Sequence, residues 1–351
     1  MTPPSEKQVE PAIVELLSDF VGSPVDVQHV GYKDRAYDFV VAAGANRFIT
    51  EYRSTPSSAA IATAIDGLAR AADDEVAASL PLLVVPFMGE VGRKLCERAK
   101  ISWFDLCGNA NIVAPGLRIL IAGRPNKFIE RGRPPNIFAP KSSRVTRSLL
   151  LEPQRFQTQA ELARRTGLGD GYVSKIVRRL ESEQYVVVDD SGAVRPRNPD
   201  LLLDAWHEAY DFEHHRIIKG HVAARSGEEL LRRVGTVLSH GPIEWAVTGL
   251  GAAWLYTSFA AFRLTTIYLS SLPSRRLLNE IEFSDEPKGA NLWFVLPDDD
   301  GVFAEKTLMD GGMCCVAPLQ TYLDLKGQPE RAREAAAELR KSYLKWNSHV
   351  D

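Results

Sequence analysis

Apolar residues recur along this chain with two different spacings, and the alternation between them divides it into segments. Residues 9–21 place Ile13, Leu16, Leu17 and Phe20 on one side at the helical period. Short runs rich in β-branched and aromatic residues follow at 37–41 and 47–52, each reading as a strand. A helix is expected at 59–72, a buried strand in the apolar run 80–86, and a second helix at 89–99. Strands at 101–106 and 118–121 complete an α/β domain with a mixed sheet over residues 1–123. Residues 124–143 then lose any period and hold four prolines, the signature of an extended basic linker.

The next segment, 144–203, returns to the helical period. A helix at 144–151 carries Val145, Leu149 and Leu150 and stops before Pro153. A second begins after Thr158, an N-cap residue, with Glu161 three positions on in the spacing of a capping box. It ends in a turn through Gly167 and Gly169, and Asp170 is placed to cap a third helix. There Val173, Ile176, Val177 and Leu180 form one buried stripe, and Tyr172, Ser174, Lys175, Arg178 and Arg179 face the other way. Strands at 185–188 and 193–197 flank the turn Asp189-Asp190-Ser191-Gly192.

Helix, glycine turn, helix and hairpin in this order predict a winged helix-turn-helix that binds double-stranded DNA. The third helix would enter the major groove, where Gly171, Tyr172, Ser174 and Lys175 near its start reach base edges. Arg178 and Arg179 suit phosphates, as do Arg195 and Arg197 on the wing, and Thr158 fixes the supporting helix.

Charge sharpens that expectation. The whole chain carries a net −3, but residues 124–197 hold 15 Lys and Arg against 8 Asp and Glu, a local +7 that leaves −10 for the rest. A basic middle between acidic ends fits a DNA-binding module inside a larger protein. No apolar run approaches the roughly 20 residues of a membrane span, and no export signal is visible at the N-terminus. Cys96, Cys107, Cys314 and Cys315 match no metal-ligand spacing and read as reduced, packed thiols. A cytoplasmic protein is expected, acting as a homodimer because two half-sites double the readout.

The first segment holds candidate chemistry. Asp38 lies in one strand and Glu51-Tyr52-Arg53 closes the next, with Glu51 and Arg53 on one face by alternation. Acid, hairpin, then acid-x-basic resembles the PD-(D/E)xK nuclease core, a restriction-endonuclease-like fold. That resemblance implies two carboxylates holding Mg²⁺ and a basic residue assisting the attacking water. Glu15 on the first helix is a further candidate acid. Arg53 departs from the lysine of that pattern, since a guanidinium stays protonated at physiological pH. The expectation is therefore a degenerate fold without catalysis, metal or cofactor, and a Mg²⁺-dependent nuclease of Asp38, Glu51 and Arg53 is the alternative.

Residues 204–351 mix elements again, with strands at 244–248, 264–269 and 291–296 and an alanine-rich helix at 330–344. Three stretches stand out: ISWFDLCGNAN from Ile101, VTGLGAA from Val247, and VAPLQTYLDLK from Val316. Together they resemble the AbiEi-like antitoxins and transcriptional regulators of type IV toxin–antitoxin systems. The resemblance implies a DNA-binding autorepressor, a C-terminal regulatory domain of nucleotidyltransferase-like fold, and a toxin-like protein partner. The residues themselves do not read as a working nucleotidyltransferase, because the strand after Gly249 carries no acid. Asp298-Asp299-Asp300 reads as a solvated turn, and His207, His214, His215 and His221 as no metal site. Gln320, Asp324 and Lys326 are expected to form a structural network around the Gly249 turn.

Overall fold

The apolar run at 80–86 is a strand buried on both faces, because it lies in the middle of a seven-stranded sheet. The computed structural model describes residues 2–30, 37–74, 79–128, 136–259 and 261–346. Along the first part of the chain the elements are α1 (Glu6–Val21), β1 (Asp26–His29), β2 (Phe39–Ala43), β3 (Asn46–Tyr52), α2 (Ser58–Asp74), β4 (Leu80–Val85), α3 (Glu90–Ala99), β5 (Ser102–Asp105), β6 (Ala110–Ala114) and β7 (Leu117–Ile121). The strands lie side by side in chain order, with β3–β4 and β4–β5 parallel and the other neighbours antiparallel. Alternation sends Phe39, Val41, Leu82, Val84 and Phe104 toward Ile13 and Leu17 of α1. It sends Val40, Ile49, Leu83 and Val85 toward Ile61, Ile65 and Leu68 of α2. β1 escapes the hydrophobic pattern because Asp26-Val27-Gln28-His29 is a mostly exposed edge.

The turn from β5 to β6 is organised by a buried carboxylate. Asp105 Oδ1 accepts from the backbone N–H groups of Cys107 (3.0 Å) and Asn109 (2.9 Å), and Oδ2 from Met88 N–H (3.1 Å) and Asn109 Nδ2 (2.8 Å). Four donors compensate the desolvation of a fully buried acid. The stretch DLCGN is thus explained as architecture.

The middle of the chain forms α4 (Ser143–Leu151), α5 (Gln159–Thr166), α6 (Asp170–Ser182), the two-stranded hairpin β8 (Val186–Val188) and β9 (Val194–Pro196), and α7 (Pro199–Ala209). Residues 129–135 of the expected linker lie outside the described residues. Thr158 Oγ1 accepts from Glu161 N–H at 3.2 Å, as an N-cap should, but the reciprocal half of the capping box is missing. The Glu161 carboxylate accepts from Arg155 instead, a charged partner displacing a weaker neutral donor. In the hairpin turn Asp189 Oδ1 accepts from Ser191 and Ala193 N–H, and Gly192 takes a left-handed φ of 80°.

The last part contains β10 (Arg216–Gly220), α8 (Gly227–Ser239), β11 (Trp245–Thr248), α9 (Gly249–Thr257), β12 (Thr265–Leu269), α10 (Arg275–Glu280), β13 (Leu292–Leu296), β14 (Thr307–Leu308), β15 (Cys314–Cys315), α11 (Pro318–Asp324) and α12 (Ala332–Tyr343). Its six-stranded sheet has the order β10-β13-β12-β11-β15-β14, with β12–β13 and β11–β15 parallel. The class is mixed α/β.

Two compact units make up the chain. One combines the residues up to Asn136 with Lys175–Glu208, the other Ile137–Ser174 with Ala209–Asp351, so the segment 144–203 contributes to both. In the first unit, Ser57 Oγ donates to Glu183 O (2.6 Å) and Ser58 Oγ to Leu201 O (3.1 Å), tying α2 to the chain around the hairpin and α7. The Glu208 carboxylate accepts from Glu90 N–H at 2.6 Å and so caps α3, whose own N-cap is Gly89. A Cβ at Gly89 would stand 2.7 Å from Glu208 Oε1, so a side chain there would displace this carboxylate from its capping position.

In the second unit α4 is buried along most of its length, polar residues included. Arg144 grips Asp299 with two bonds of 2.7 and 2.9 Å. The turn at 298–300 is therefore not simply solvated as expected, since its middle carboxylate is 13 % exposed and ion-paired. The physical reason is the bidentate match of guanidinium to carboxylate. Breaking it by Arg144→Ala should cost about 2–3 kcal/mol in urea unfolding, because a charged acceptor loses its partner while largely buried. The cycle with Asp299→Ala should show coupling of at least about 1 kcal/mol, and additive losses would refute the pair's importance.

Candidate functional site

α6 begins where the backbone of Gly169 accepts from the N–H groups of Tyr172 (2.9 Å) and Val173 (3.1 Å). Asp170 sits in its first turn, where a negative charge complements the helix dipole. The preceding helix stops at Gly167, whose φ of 67° is a left-handed cap that glycine adopts at little cost. Along α6 the stripe Val173, Ile176, Val177 and Leu180 is at most 2 % exposed. Gly171, Tyr172, Lys175 and Arg178 are exposed on the other side, and Ser174 and Arg179 are half-buried.

Several of these side chains are already engaged. The Tyr172 hydroxyl is 2.8 Å from Ser142 Oγ, with Lys141 Nζ 6.0 Å from its ring centre. Arg179 pairs with Glu183 one turn later, at 2.5 Å. On the hairpin Arg195 is half-buried and Arg197 exposed, and Arg197 N–H donates to Tyr185 O at 2.8 Å. Thr158 is exposed at the start of α5 and its hydroxyl serves that helix.

The first unit brings together the acids that the sequence paired. Asp38 lies in a bend just before β2, not in a strand as expected, because strand pairing ends at Phe39 opposite Thr50. The Asp38 N–H donates to Thr50 O at 2.9 Å, and its carboxyl nevertheless reaches that of Glu51. Asp38 Oδ2 accepts from Tyr52 N–H at 2.8 Å, and Arg53 Nη2 stands 2.7 Å from Glu51 Oε1. Glu51 is 5 % exposed. Burial pushes its carboxyl up to about 8, the Asp38 charge adds to the rise, and Arg53 only partly opposes both. Burial also raises Asp38, with Glu6 contributing. The further acid is therefore Glu6, in the first turn of α1, and not Glu15, which lies exposed on the outer side of that helix. Because α1 starts three residues before its apolar period becomes visible, the hydrophobic pattern alone does not bring Glu6 into view.

Such a pair can share a proton at neutral pH, or release it to a divalent cation. Among the described residues no group of three or more His, Cys, Asp or Glu is arranged to hold a metal ion. The histidines of 207–221 are scattered accordingly: His214 is exposed beside Asp211, while His215 is turned inward toward Tyr210.

The second unit contains a buried polar network that joins Gln320, Asp324 and Lys326, but its centre is Asp324. This fully buried carboxyl accepts from the hydroxyls of Thr248 (2.5 Å), Tyr210 (2.5 Å) and Tyr268 (3.1 Å) and from Gln320 Nε2 (2.6 Å). Gln320 Oε1 in turn accepts from Arg147 Nη2 at 2.5 Å. Lys326 donates to Tyr210 O at 2.7 Å, and His215 Nε2 is 3.1 Å from the Tyr210 hydroxyl. Burial raises Asp324 and lowers Arg147, each toward its neutral form. Thr248 directly precedes Gly249, so the network closes at the start of α9.

No known protein family, characterised protein or solved structure matches this chain.

The Glu51 carboxyl generates a pH prediction. Folding raises it from an ordinary 4.5 to about 8, so the folded state holds a proton that the unfolded state releases. Its stabilising contribution is complete below pH 4.5 and disappears as pH rises through 8. Glu51→Gln should match the parent near pH 5 and exceed it by roughly 1–3 kcal/mol at pH 9 in urea unfolding. An equal difference at both pH values would contradict the raised carboxyl.

Proposed function

We propose that this chain is a sequence-specific, double-stranded DNA-binding transcriptional regulator that reads its operator with α6. The observation that carries the reading is the division of that helix into a buried apolar stripe and an exposed side bearing Tyr172, Lys175 and Arg178. A helix of about 10 Å diameter fits the major groove, and a cationic exposed side supplies phosphate contacts. The order of α4, α5, α6 and the hairpin β8–β9 supports a winged helix-turn-helix, with Arg195 and Arg197 on the wing. The resemblance to AbiEi-like proteins extends the proposal to an autorepressor, acting as a homodimer, whose C-terminal part has a nucleotidyltransferase-like regulatory role and meets a toxin-like partner. Cytoplasmic action accords with this reading, and no described helix is long and apolar enough to cross a membrane.

The test is a gel shift with the chain's own upstream DNA. Lys175→Ala/Arg178→Ala should abolish the shift at physiological salt, and the loss of the Arg178 phosphate contact should lower the salt slope by about one. Undiminished binding would sink the claim that α6 reads DNA.

A second reading is supported by one specific observation, the facing carboxyls of Asp38 and Glu51 beside Arg53. In that reading the first unit is a Mg²⁺-dependent nuclease with Asp38 and Glu51 as metal ligands and Arg53 stabilising the phosphate. Supercoiled plasmid incubated with the protein and Mg²⁺ or Mn²⁺ should stay intact under the regulator proposal. Cutting that disappears in Asp38→Ala/Glu51→Ala would establish the enzyme instead.

A further inference from the structure

The second unit holds a cavity of about 350 Å³, open to solvent on one side, against α4 and α5. That volume is at the lower end of the range for small-molecule sites. Its lining is electrically divided. Arg144 and Arg147 of α4 and Arg165 at the end of α5 supply its cationic wall, and loops supply Glu244, Asp300 and Glu305 as its acidic wall, with Asp300 close enough to Arg144 to favour the charged guanidinium. Arg147 is 5 % exposed, so the cationic wall reaches into the protein interior. Glu244 is bound by Lys306, which leaves Asp300 and Glu305 as the main charge of the acidic wall. The Phe303 ring and the Ala304 side chain add an apolar surface between them.

The loop that carries this wall is shaped with unusual care. Glu305 adopts a left-handed φ of 57°, a strained conformation for a residue with a side chain. A Cβ at Gly301 would stand 2.6 Å from Asp299 Oδ1 and 3.0 Å from Arg144 Cγ, so only glycine lets the loop approach α4 this closely. Arg144 is held by Asp299 and also donates to Thr166 O at 3.1 Å, and Arg165 is held by Glu152 at 2.7 Å. The guanidinium groups therefore stand in fixed positions before any ligand arrives, which reduces the ordering cost of binding.

We propose that this cavity binds a small amphoteric metabolite, with an oxyanion against the arginines and an ammonium group against Asp300 and Glu305. Guanidinium groups match the planar, two-oxygen face of a carboxylate and also suit phosphate. A purely anionic ligand would meet repulsion from the acidic wall, and a purely cationic one from the arginines. The chemistry thus selects a molecule such as a free α-amino acid or an aminoalkyl phosphate. Both helices that supply the cationic wall precede α6 in the proposed DNA-binding segment, so an occupant would act as an effector of that segment. This regulatory role rests on the DNA-binding proposal, but occupancy of the cavity does not.

Calorimetry on the full chain without DNA therefore tests the site independently. The probes are the free α-amino acids, their N-acetyl and amide forms, aminoethyl phosphate and inorganic phosphate. At least one amphoteric probe should bind, and its N-acetyl or amide form should bind at least tenfold more weakly. A carboxylate or a phosphate source is distinguished by which parent compound binds. Ala304→Trp should fill the cavity and abolish binding while the thermal midpoint is retained, and Arg165→Ala should weaken it at least tenfold. The proposal is overturned if no amphoteric probe binds at millimolar concentration, if inorganic phosphate binds equally well, or if both variants bind as the parent does. A gel shift with the bound probe present then reads the effector role separately.

Discussion

Two opposite charges buried in the second unit impose the strongest constraint on its architecture. Arg147 and Asp324 are both removed from water, and the amide of Gln320 stands between them as acceptor to one and donor to the other. Each charge alone would carry a desolvation penalty of several kcal/mol, so neither is tolerated without its fixed polar surroundings. That requirement draws α4, α11, β12 and the start of α9 onto one another, because Tyr268 and Thr248 must also reach the Asp324 carboxyl. Arg144, one turn earlier on α4, makes a second polar tie through Asp299. A helix that its sequence marks as the first of an expected DNA-binding segment is thereby fastened by polar contacts to α11 and to the turn after β13.

Burial of charge has a different consequence in the first unit. Glu51 and Asp38 face each other with one guanidinium nearby, and burial outweighs that cation, so the pair favours holding a proton. Asp105 is equally buried but satisfied by four donors. The contrast separates an acid whose environment is complete from a pair whose environment would be improved by a further positive charge. It is this incompleteness, and not the presence of two acids in a sheet, that keeps metal-dependent chemistry as the second reading.

Much of the fold was legible because hydrophobic period is a direct image of burial. The apolar run of β4, the stripe Val173–Ile176–Val177–Leu180 and the strands β11, β12 and β13 all announce themselves. β1 and β6 did not, since an edge strand and an Ala-Asn-Ile-Val-Ala strand carry little apolar contrast. α9 is hydrophobic on every side and so has no stripe to detect. The pairing of Asp38 with Glu51 was expected from the nuclease-like order of acid, hairpin and acid-x-basic, whereas Glu6 depends on where α1 begins. The partners of Arg144 and Arg147 lie 155 and 173 residues away, and no local spacing encodes contacts at that separation.

Those distant partners also change what the local charge of +7 means. Of the cations between 124 and 197, Arg144 is engaged by Asp299, Arg147 by Gln320, Arg155 by Glu152 and Glu161, Arg165 by Glu152, and Arg179 by Glu183. Four of these, all but Arg147, are held by carboxylates and contribute little to a long-range field, because each pair is a short dipole that falls off faster than a charge and is screened beyond about 8–10 Å. On α6 itself Lys175 and Arg178 are exposed. Under the DNA-binding proposal, few phosphate contacts would keep the sequence-independent part of the affinity small, since each contributes about one to the salt slope. Were α6 to read DNA as proposed, discrimination would rest on the residues near its start and on assembly that doubles the number of half-sites read.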